Sequence, residues 1–485
     1  MSEIKEEISR LLKLRLESSS FIILPNIYRS KHVQLKLLWF ILSFICVGWC
    51  SWLMSGTVID YLNYDVITKT EVKYETQLIF PVITICNTNI FSTEYSSRFI
   101  TSLLNSSDDD FNKDFMIKYL VNYYIAHNKT HSLLFGKKID EMIINCWYGF
   151  NKCDINEDFD HYFDFNYGNC YRFNSGKNMN GEQVTQKYAN ALFGYLDVHL
   201  WIGSAENNYN MFSKENGLIL FISNETVNTA VVSGIPISPG FSTKISLEKI
   251  TIIKKSRPYS NCVDNLNSID SYDSLTYKKL ISQNQNQSYN YINCYITCLQ
   301  KLLGDICECQ LKFLDSIYYD KMRLCFSIPS LRDEDNICFQ TSLKVFSNDS
   351  KPYLAKCNCP IECEYNFFRY SNSFAEFPPR NYLPYLLNST KIKSIIFNQT
   401  DLNDSLKTFE FIKKSIARVQ ISYQDMMQTF ITEYPKMKPV DLVSSLGGIL
   451  GLFLGLSFLS FIEIFDFLLQ LIICILVQKA KTLNT

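Results

Sequence analysis

Histidine is scarce in this chain, with five among 485 residues. A zinc hydrolase would need a His-Glu-x-x-His pair on one helix, and a serine hydrolase a Gly-x-Ser-x-Gly elbow with a base; neither motif occurs. Imidazole is also the side chain that titrates near neutral pH, and His127, His131, His161 and His199 read as surface residues rather than proton sensors. Net charge is missing as well. Lys and Arg number 47 against 48 Asp and Glu, leaving −1, which gives no electrostatic case for nucleic acid. No repeat or low-complexity linker divides residues 60–438, and no small-residue cleavage site follows a short apolar core near the N-terminus. An enzyme, a cofactor and a metal site are therefore not expected.

What the chain does have is two apolar segments of membrane-spanning length. The first covers residues 35–59, more than the ~20 apolar residues a bilayer requires. The second covers 440–477, too long for one straight crossing at ~1.5 Å per residue. It must project, tilt or break, and Gly455-Leu456-Ser457 is the natural break point. Within it Gly447, Gly451 and Gly455 recur every fourth residue and share one helical face. Ser457, Ser460, Glu463 and Asp466 follow, polar groups that are costly in lipid unless they face protein or water. The simplest reading is a helix lining an ion path; the competing one is a packing face whose carboxylates reach headgroup water.

Arg29, Lys31 and Lys36 before the first segment, and Lys479 and Lys481 after the second, place both termini (1–34 and 478–485) in the cytoplasm and residues 60–439 outside. Eight sequons, at Asn105, Asn128, Asn224, Asn286, Asn348, Asn388, Asn398 and Asn403, all fall between the segments. Of 17 cysteines, Cys46, Cys50 and Cys474 lie in the apolar segments as free thiols, and the other 14 lie between them, an even number as an oxidising compartment favours. Zinc is the competing reading for Cys307-x-Cys309 and Cys357-x-Cys359, disfavoured by the one-residue spacing and few histidines. Strands are expected over Phe80 to Cys86, Gly217 to Ile222, Thr243 to Lys254 and Ala417 to Phe430, and helices over Phe111 to Ile125 and Ser271 to Ile281. Ten cysteines between Cys262 and Cys363 suggest a stapled, stiff stalk.

Together these pieces resemble the degenerin/epithelial sodium channel family over nearly the whole chain. The resemblance is carried by Phe80-Pro81-Val82-Ile83-Thr84-Ile85-Cys86-Asn87, by Cys146 to Cys153, and by Tyr167-Gly168-Asn169-Cys170-Tyr171-Arg172-Phe173-Asn174-Ser175-Gly176. Arg257-Pro258-Tyr259, Cys294-x3-Cys298 with Gln300, Cys357-x-Cys359-x3-Cys363 and Gly447-Gly448 to Glu463 follow in family order. The resemblance implies an α+β membrane protein, trimeric, with two transmembrane helices and a disulfide-rich extracellular domain of finger, thumb, palm, knuckle and β-ball. It implies the pairs Cys86–Cys170, Cys146–Cys153, Cys262–Cys363, Cys294–Cys359, Cys298–Cys357, Cys307–Cys338 and Cys309–Cys325. In character the chain is most similar to invertebrate, cnidarian-type peptide-gated subunits.

Carried onto this sequence, Gly455-Leu456-Ser457 takes the selectivity-filter place, presenting carbonyls and hydroxyls to a partly dehydrated cation. Leu456 is larger than the usual small residue there. Glu463 and Asp466 form inner acidic rings, and Asp441 an outer one unless it is only a helix-start carboxylate. Ser445, Gly448 and Leu452 occupy the gate region, with Ser445 where acid-sensing members carry Asp. Tyr64 and Tyr259 match an aromatic coupling pair, and Met426-Met427 a linker implicated in desensitisation. The His-Gly pair of the cytoplasmic N-terminus is replaced by Ile22-Ile23, and the paired histidines after the first segment by Asp65-Val66.

The implied partners are related subunits in a homo- or heterotrimer, Na+ and possible Ca2+ as permeant ions, amiloride-type blockers, membrane lipid and an extracellular peptide. Protons are the competing stimulus, with Asp108–Asp110 and Asp333–Asp335 as crowded carboxylates. An ATP-gated trimer would need a Lys-rich nucleotide site that the sequence does not offer. An adhesion protein would not need Gly455 to Asp466.

Overall fold

The computed structural model describes residues 26, 30–98, 132–164, 167–203, 215–224, 233–266, 268–283, 289–308, 337–338, 341–342, 344, 357–397 and 405–483. The chain divides into a helical unit, Met1–Thr68 with Glu433–Thr485, and a sheet unit, Lys69–Thr432.

The helical unit contains α1 (Val33–Leu62). The main strands are β1 (Val66–Tyr74), β2 (Leu78–Ile79), β3 (Val82–Asn87), β4 (Ile143–Tyr148), β5 (Asn151–Lys152), β6 (Phe159–Asp164), β7 (Gly168–Phe173) and β8 (Tyr188–Ala189). They continue with β9 (Tyr195–Trp201), β10 (Leu218–Ser223), β11 (Ile235–Ile237), β12 (Phe241–Ile253) and β13 (Cys262–Val263). Two helices follow, α2 (Leu275–Gln283) and α3 (Tyr291–Cys307), then β14 (Ile361–Glu362) and β15 (Glu364–Glu376). Helices α4 (Leu383–Leu387), α5 (Thr390–Phe397) and α6 (Ser405–Lys413) precede β16 (Ile416–Pro435), and α7 (Pro439–Leu454) and α8 (Phe458–Leu483) complete the helical unit.

A seven-stranded sheet runs β15-β12-β16-β9-β4-β5, with β1 also pairing to β16, and a five-stranded sheet runs β11-β10-β3-β7-β6. β12 alternates as a half-buried strand should, sending Thr243, Ile245 and Leu247 inward. β3 lies inside the five-stranded sheet and buries all six of its residues, so its signal is a continuous apolar run rather than an alternation. The main core draws on both sheets: Phe80 and Phe173 pack edge to face with 6.1 Å between ring centroids, alongside Leu200, Leu218 and Ile245. Helix α3 starts where the Asn290 side chain accepts the N–H groups of Ile292 and Asn293. One turn apart on its buried face, Cys294 bonds to Cys359 and Cys298 to Cys357.

The disulfides Cys86–Cys170, Cys146–Cys153, Cys262–Cys363 and Cys307–Cys338 are also formed. The Cys309–Cys325 pair and the helix expected over Phe111 to Ile125 lie outside the described residues, as do Ile22-Ile23. Cys46 and Cys50 are free thiols. Among the described residues helix α1 alone is long and apolar enough to cross a membrane; the second segment qualifies only as a bent pair, α7 with Phe458–Gln470, turned by 78°.

Candidate functional site

The bend is built from three residues. At Gly455 the backbone turns left-handed, φ +69°, and its N–H donates to the Gly451 carbonyl at 3.0 Å while Leu456 N–H reaches Leu450 O at 3.3 Å. This is the glycine-terminated end that closes the last carbonyls of a helix. Ser457 then opens α8: its N–H donates to the Ser460 Oγ at 3.1 Å, and the Ser460 N–H returns to the Ser457 carbonyl at 2.9 Å. The Ser457 hydroxyl is exposed and lies 3.4 Å from the buried Ser460 hydroxyl. Thus Gly455, Leu456 and Ser457 leave the helix together, and only Gly455 among them needs a left-handed φ.

Upstream, Pro439 sits in the first turn of α7 and the Asp441 carboxylate accepts the Lys438 N–H at 2.9 Å. Asp441 is exposed, and this bond gives it a helix-start role. Ser445, Gly448 and Leu452 are exposed along the same helix, and a Cβ placed on Gly447 or Gly448 would meet nothing within 4 Å. Helix α7 packs on α1. In α8, Glu463 is half-buried, and the exposed Asp466 accepts from the Gln470 amide at 3.0 Å.

Of the coupling residues, Tyr64 follows the C-cap of α1 with φ +53°, its ring 6.2 Å from that of Tyr61. Tyr259 lies in a turn, its N–H bonded to Ser256 O at 3.2 Å. Met426 and Met427 sit where β16 bulges against β12: Leu247 faces Tyr423 and Lys249 faces Gln428, so Glu248 stands opposite four residues. Glu75 N–H closes on the Met426 carbonyl at 2.8 Å. Directly after the bulge the Gln428 amide donates to the Thr251 hydroxyl, which donates to the Asn366 side chain, each at 2.5 Å. This buried relay was missed from sequence, because it joins three strands far apart in the chain.

The histidine reading needs correction at His161 and His199; His127 and His131 lie outside the described residues. His199 is buried on β9, its ring 5.2 Å from that of Phe377, and His161 is half-buried with Nε2 3.1 Å from the Asn169 side-chain oxygen. Burial lowers the His199 pKa to about 4, against the pull of Asp197, whose carboxylate is 3.8 Å away and is held by Arg418. Both rings are neutral near pH 7; burial also lowers that of His161. Of the sequons, Asn388 is exposed at the end of α4 and Asn224 lies at the end of β10; the other six lie outside the described residues.

A family model described as amiloride-sensitive sodium channel matches residues 16–467. The bile acid-sensitive ion channel of Rattus norvegicus is 22% identical over 93% of this chain and 86% of its own length. For the FMRFamide-activated amiloride-sensitive sodium channel of Cornu aspersum the figures are 20%, 92% and 81%. For acid-sensing ion channel 1 of Gallus gallus they are 22%, 87% and 76%. These relatives are ion channels and not enzymes, and the matched span holds α1, the disulfide-rich mixed α/β region and the bend at Gly455. The chain belongs to the amiloride-sensitive sodium channel family.

Proposed function

We propose that this chain is one subunit of a trimeric, ligand-gated, sodium-permeable cation channel of the plasma membrane, opened by an extracellular peptide. The observation that carries the reading is the interruption at Gly455-Leu456-Ser457 within an otherwise apolar helical segment. Backbone that leaves a helix at membrane depth is tolerated only where it is buried in protein or lines water. Three copies meeting at this point give it both surroundings, with the backbone and the exposed Ser457 hydroxyl as oxygen ligands for a cation. Glu463 and Asp466 then concentrate cations below the filter, and Ser445, Gly448 and Leu452 form the gate above it, near Asp441. The confinement of all sequons and 14 cysteines between the two segments supports cytoplasmic termini and an extracellular sheet unit of finger, thumb, palm, knuckle and β-ball.

Peptide gating is supported by the FMRFamide-activated relative, and the neutral rings of buried His199 and half-buried His161 make these two residues poor sensors of mild acid. Ile22-Ile23 in place of His-Gly favours a role inside a heterotrimer, with little conduction by the chain alone. Expressing the chain alone and with related subunits, then recording current under peptide, acid and stretch, tests the reading. Peptide-evoked, amiloride-blocked sodium current that depends on Ser457 is the expected result. Current that is unchanged when Gly455 and Ser457 are both replaced would overturn it.

A further inference from the structure

The sheet unit holds a cavity of about 610 Å³ between the end of β10, the start of α3 and the outer strand β15. Pockets that enclose a small ligand run from ~300 to ~1,000 Å³. Six aromatic side chains line this one, among them Tyr291, Phe367 and Tyr370, which are 37%, 38% and 41% exposed. Two carboxylates, Glu362 and Glu364, join them, and among the described lining residues there is no Lys, Arg or His. Such a lining suits a neutral sugar. A pyranose ring turns a face of polarised C–H groups to the negative face of an aromatic ring, and its rim hydroxyls donate to carboxylates. A sulfated or otherwise anionic ligand would meet two negative charges and no counter-charge.

One further lining residue says where the sugar comes from. Asn224, just past the end of β10, belongs to the cavity and is also the acceptor of the sequon Asn224-Glu225-Thr226. Of the two sequon asparagines among the described residues, Asn388 is exposed at the end of α4, whereas Asn224 is half-buried at the cavity. A sugar attached there starts at the aromatic wall. Its contacts need little intrinsic affinity, because a short tether supplies an effective concentration in the ~mM range. The walls are already set: the Tyr289 hydroxyl donates to the Pro360 carbonyl at 2.7 Å, and Glu362 accepts the Tyr291 N–H at 2.7 Å. β15 also ends the order of the seven-stranded sheet, and cover over an edge strand keeps it from pairing with another chain.

We propose that this cavity is the docking site of the chain's own N-linked glycan, carried by Asn224. In the attachment the Asn224 amide nitrogen bonds to the anomeric carbon of a lipid pyrophosphate-linked oligosaccharide. The bond from that carbon to the pyrophosphate breaks, and the amide gives up one proton. The innermost N-acetylglucosamines then lie on Phe367 and Tyr370, and their hydroxyls donate to Glu362 and Glu364. Docked in this way, the glycan braces the five-stranded sheet, through β10, against β15 of the seven-stranded one. The proposal rests on the extracellular placement of the sheet unit given above, and not on what opens the channel.

The test uses the full-length protein made in a glycosylating animal cell, purified in detergent and treated without denaturation with peptide N-glycosidase. Each release converts the asparagine to aspartate, so mass spectrometry of the proteolysed chain reads the rate at every sequon. Release at Asn224 is expected to be roughly tenfold slower than at Asn388, the ratio for a glycan undocked about one-tenth of the time. After denaturation the two rates should be equal. Phe367→Ala with Tyr370→Ala should remove the protection. Thr226→Ala, which deletes the sequon and keeps Asn224, should lower the sheet unit's melting temperature by about 2 °C or more; Thr226→Ser, which keeps the sequon, should not. A glycan at Asn224 released as fast as that at Asn388 overturns the docking, as does protection that survives loss of both rings. Equal melting of Thr226→Ala and Thr226→Ser overturns the brace. Sugar at other sequons and none at Asn224 overturns the proposal alone, whereas sugar at none of the eight overturns the extracellular placement with it.

Discussion

Thirty residues of α1 bury one side chain, Cys50, whereas all six residues of β3 are buried. Both segments are apolar, and the difference lies in what each is given to pack on. β3 is flanked by β10 and β7 and covered by side chains of both sheets, so its hydrophobic stabilisation comes from within the chain. The helical unit leaves Phe40, Phe44, Trp52, Leu452 and Phe465 outward, each more than 60% exposed, so its favourable surroundings come from lipid or from further copies. Among the described residues the sheet unit carries six disulfides and the helical unit none. One region is stable by internal burial and cross-links, the other by its medium.

Reduction should therefore separate them, and this is the largest effect expected. Cys262 and Cys363 are 101 residues apart in sequence, and opening a native disulfide of that span costs about 2–5 kcal/mol. Cys262→Ser with Cys363→Ser, or dithiothreitol on the wild type, should lower the sheet unit's melting temperature by several degrees in a calorimetric scan. The helical signal in circular dichroism should persist through that transition. A single transition in which helix and sheet melt together would break the comparison.

Next in size is acid. His199 has a pKa of about 4 in the folded chain against the ordinary 6.5, because burial penalises the imidazolium more than Asp197 favours it. The unfolded chain thus binds more protons between those values. Stability conferred by the neutral ring is complete above pH 6.5 and is lost progressively as pH falls to about 4, by up to roughly 3 kcal/mol. Asp197, Arg418 and Tyr382 are the titratable neighbours, and Arg418 stays charged throughout. His199→Gln should flatten the dependence of the melting temperature on pH over this window while leaving unfolding at pH 7.5 little changed. An unaltered slope would mean that other groups set the acid response.

Such a buried histidine was not legible in the sequence. Val198-His199-Leu200 gives a ring flanked by apolar residues, but the groups that bury it, Phe377 and Tyr382, lie almost two hundred positions away. The same limit hid the cavity, assembled from β10, α3 and β15, and the bulge at Met426-Met427, which depends on the register of β12. What was legible depended on local rules. The run Thr243 to Lys254 alternates and lies in β12; Ser271 to Ile281 overlaps α2; Gly455 reads as a helix stop because only glycine takes φ +69° without strain. The length of the second apolar segment called for projection, tilt or a break, and the bent pair is the last of these.

That break gives the third prediction. Any other L-residue in the left-handed region costs about 1–2 kcal/mol, and a β-branched one more. Gly455→Val should straighten or misdirect the junction, cutting sodium current at least tenfold in whichever subunit combination conducts, with surface biotinylation unchanged. Gly451→Ala is the matched control: its Cβ would stand 3.5 Å from the Leu456 carbonyl oxygen, an ordinary contact. Equal loss from both substitutions would assign the row of small residues to packing and remove the special status of position 455.

The smallest effect is expected at the ion pair between Lys436 and Asp65, 3.0 Å apart and half exposed on both sides. Its position after β16 and before β1 invites a reading as a clasp that holds the ends of the helical unit. The backbone argues otherwise. The Lys436 N–H already donates to the Asp65 carbonyl at 2.9 Å, a bond that survives any change of side chain. Exposed pairs of this kind are screened by salt and add little to stability. Asp65→Asn and Lys436→Gln, singly and together, should leave both thermal transitions and the current in physiological salt within experimental scatter, with coupling emerging only at low ionic strength. A coupling that persisted in high salt would mean that the pair is shielded in the assembled channel by a neighbouring copy, and the helical unit would then owe part of its stability to polar contacts as well as to its medium.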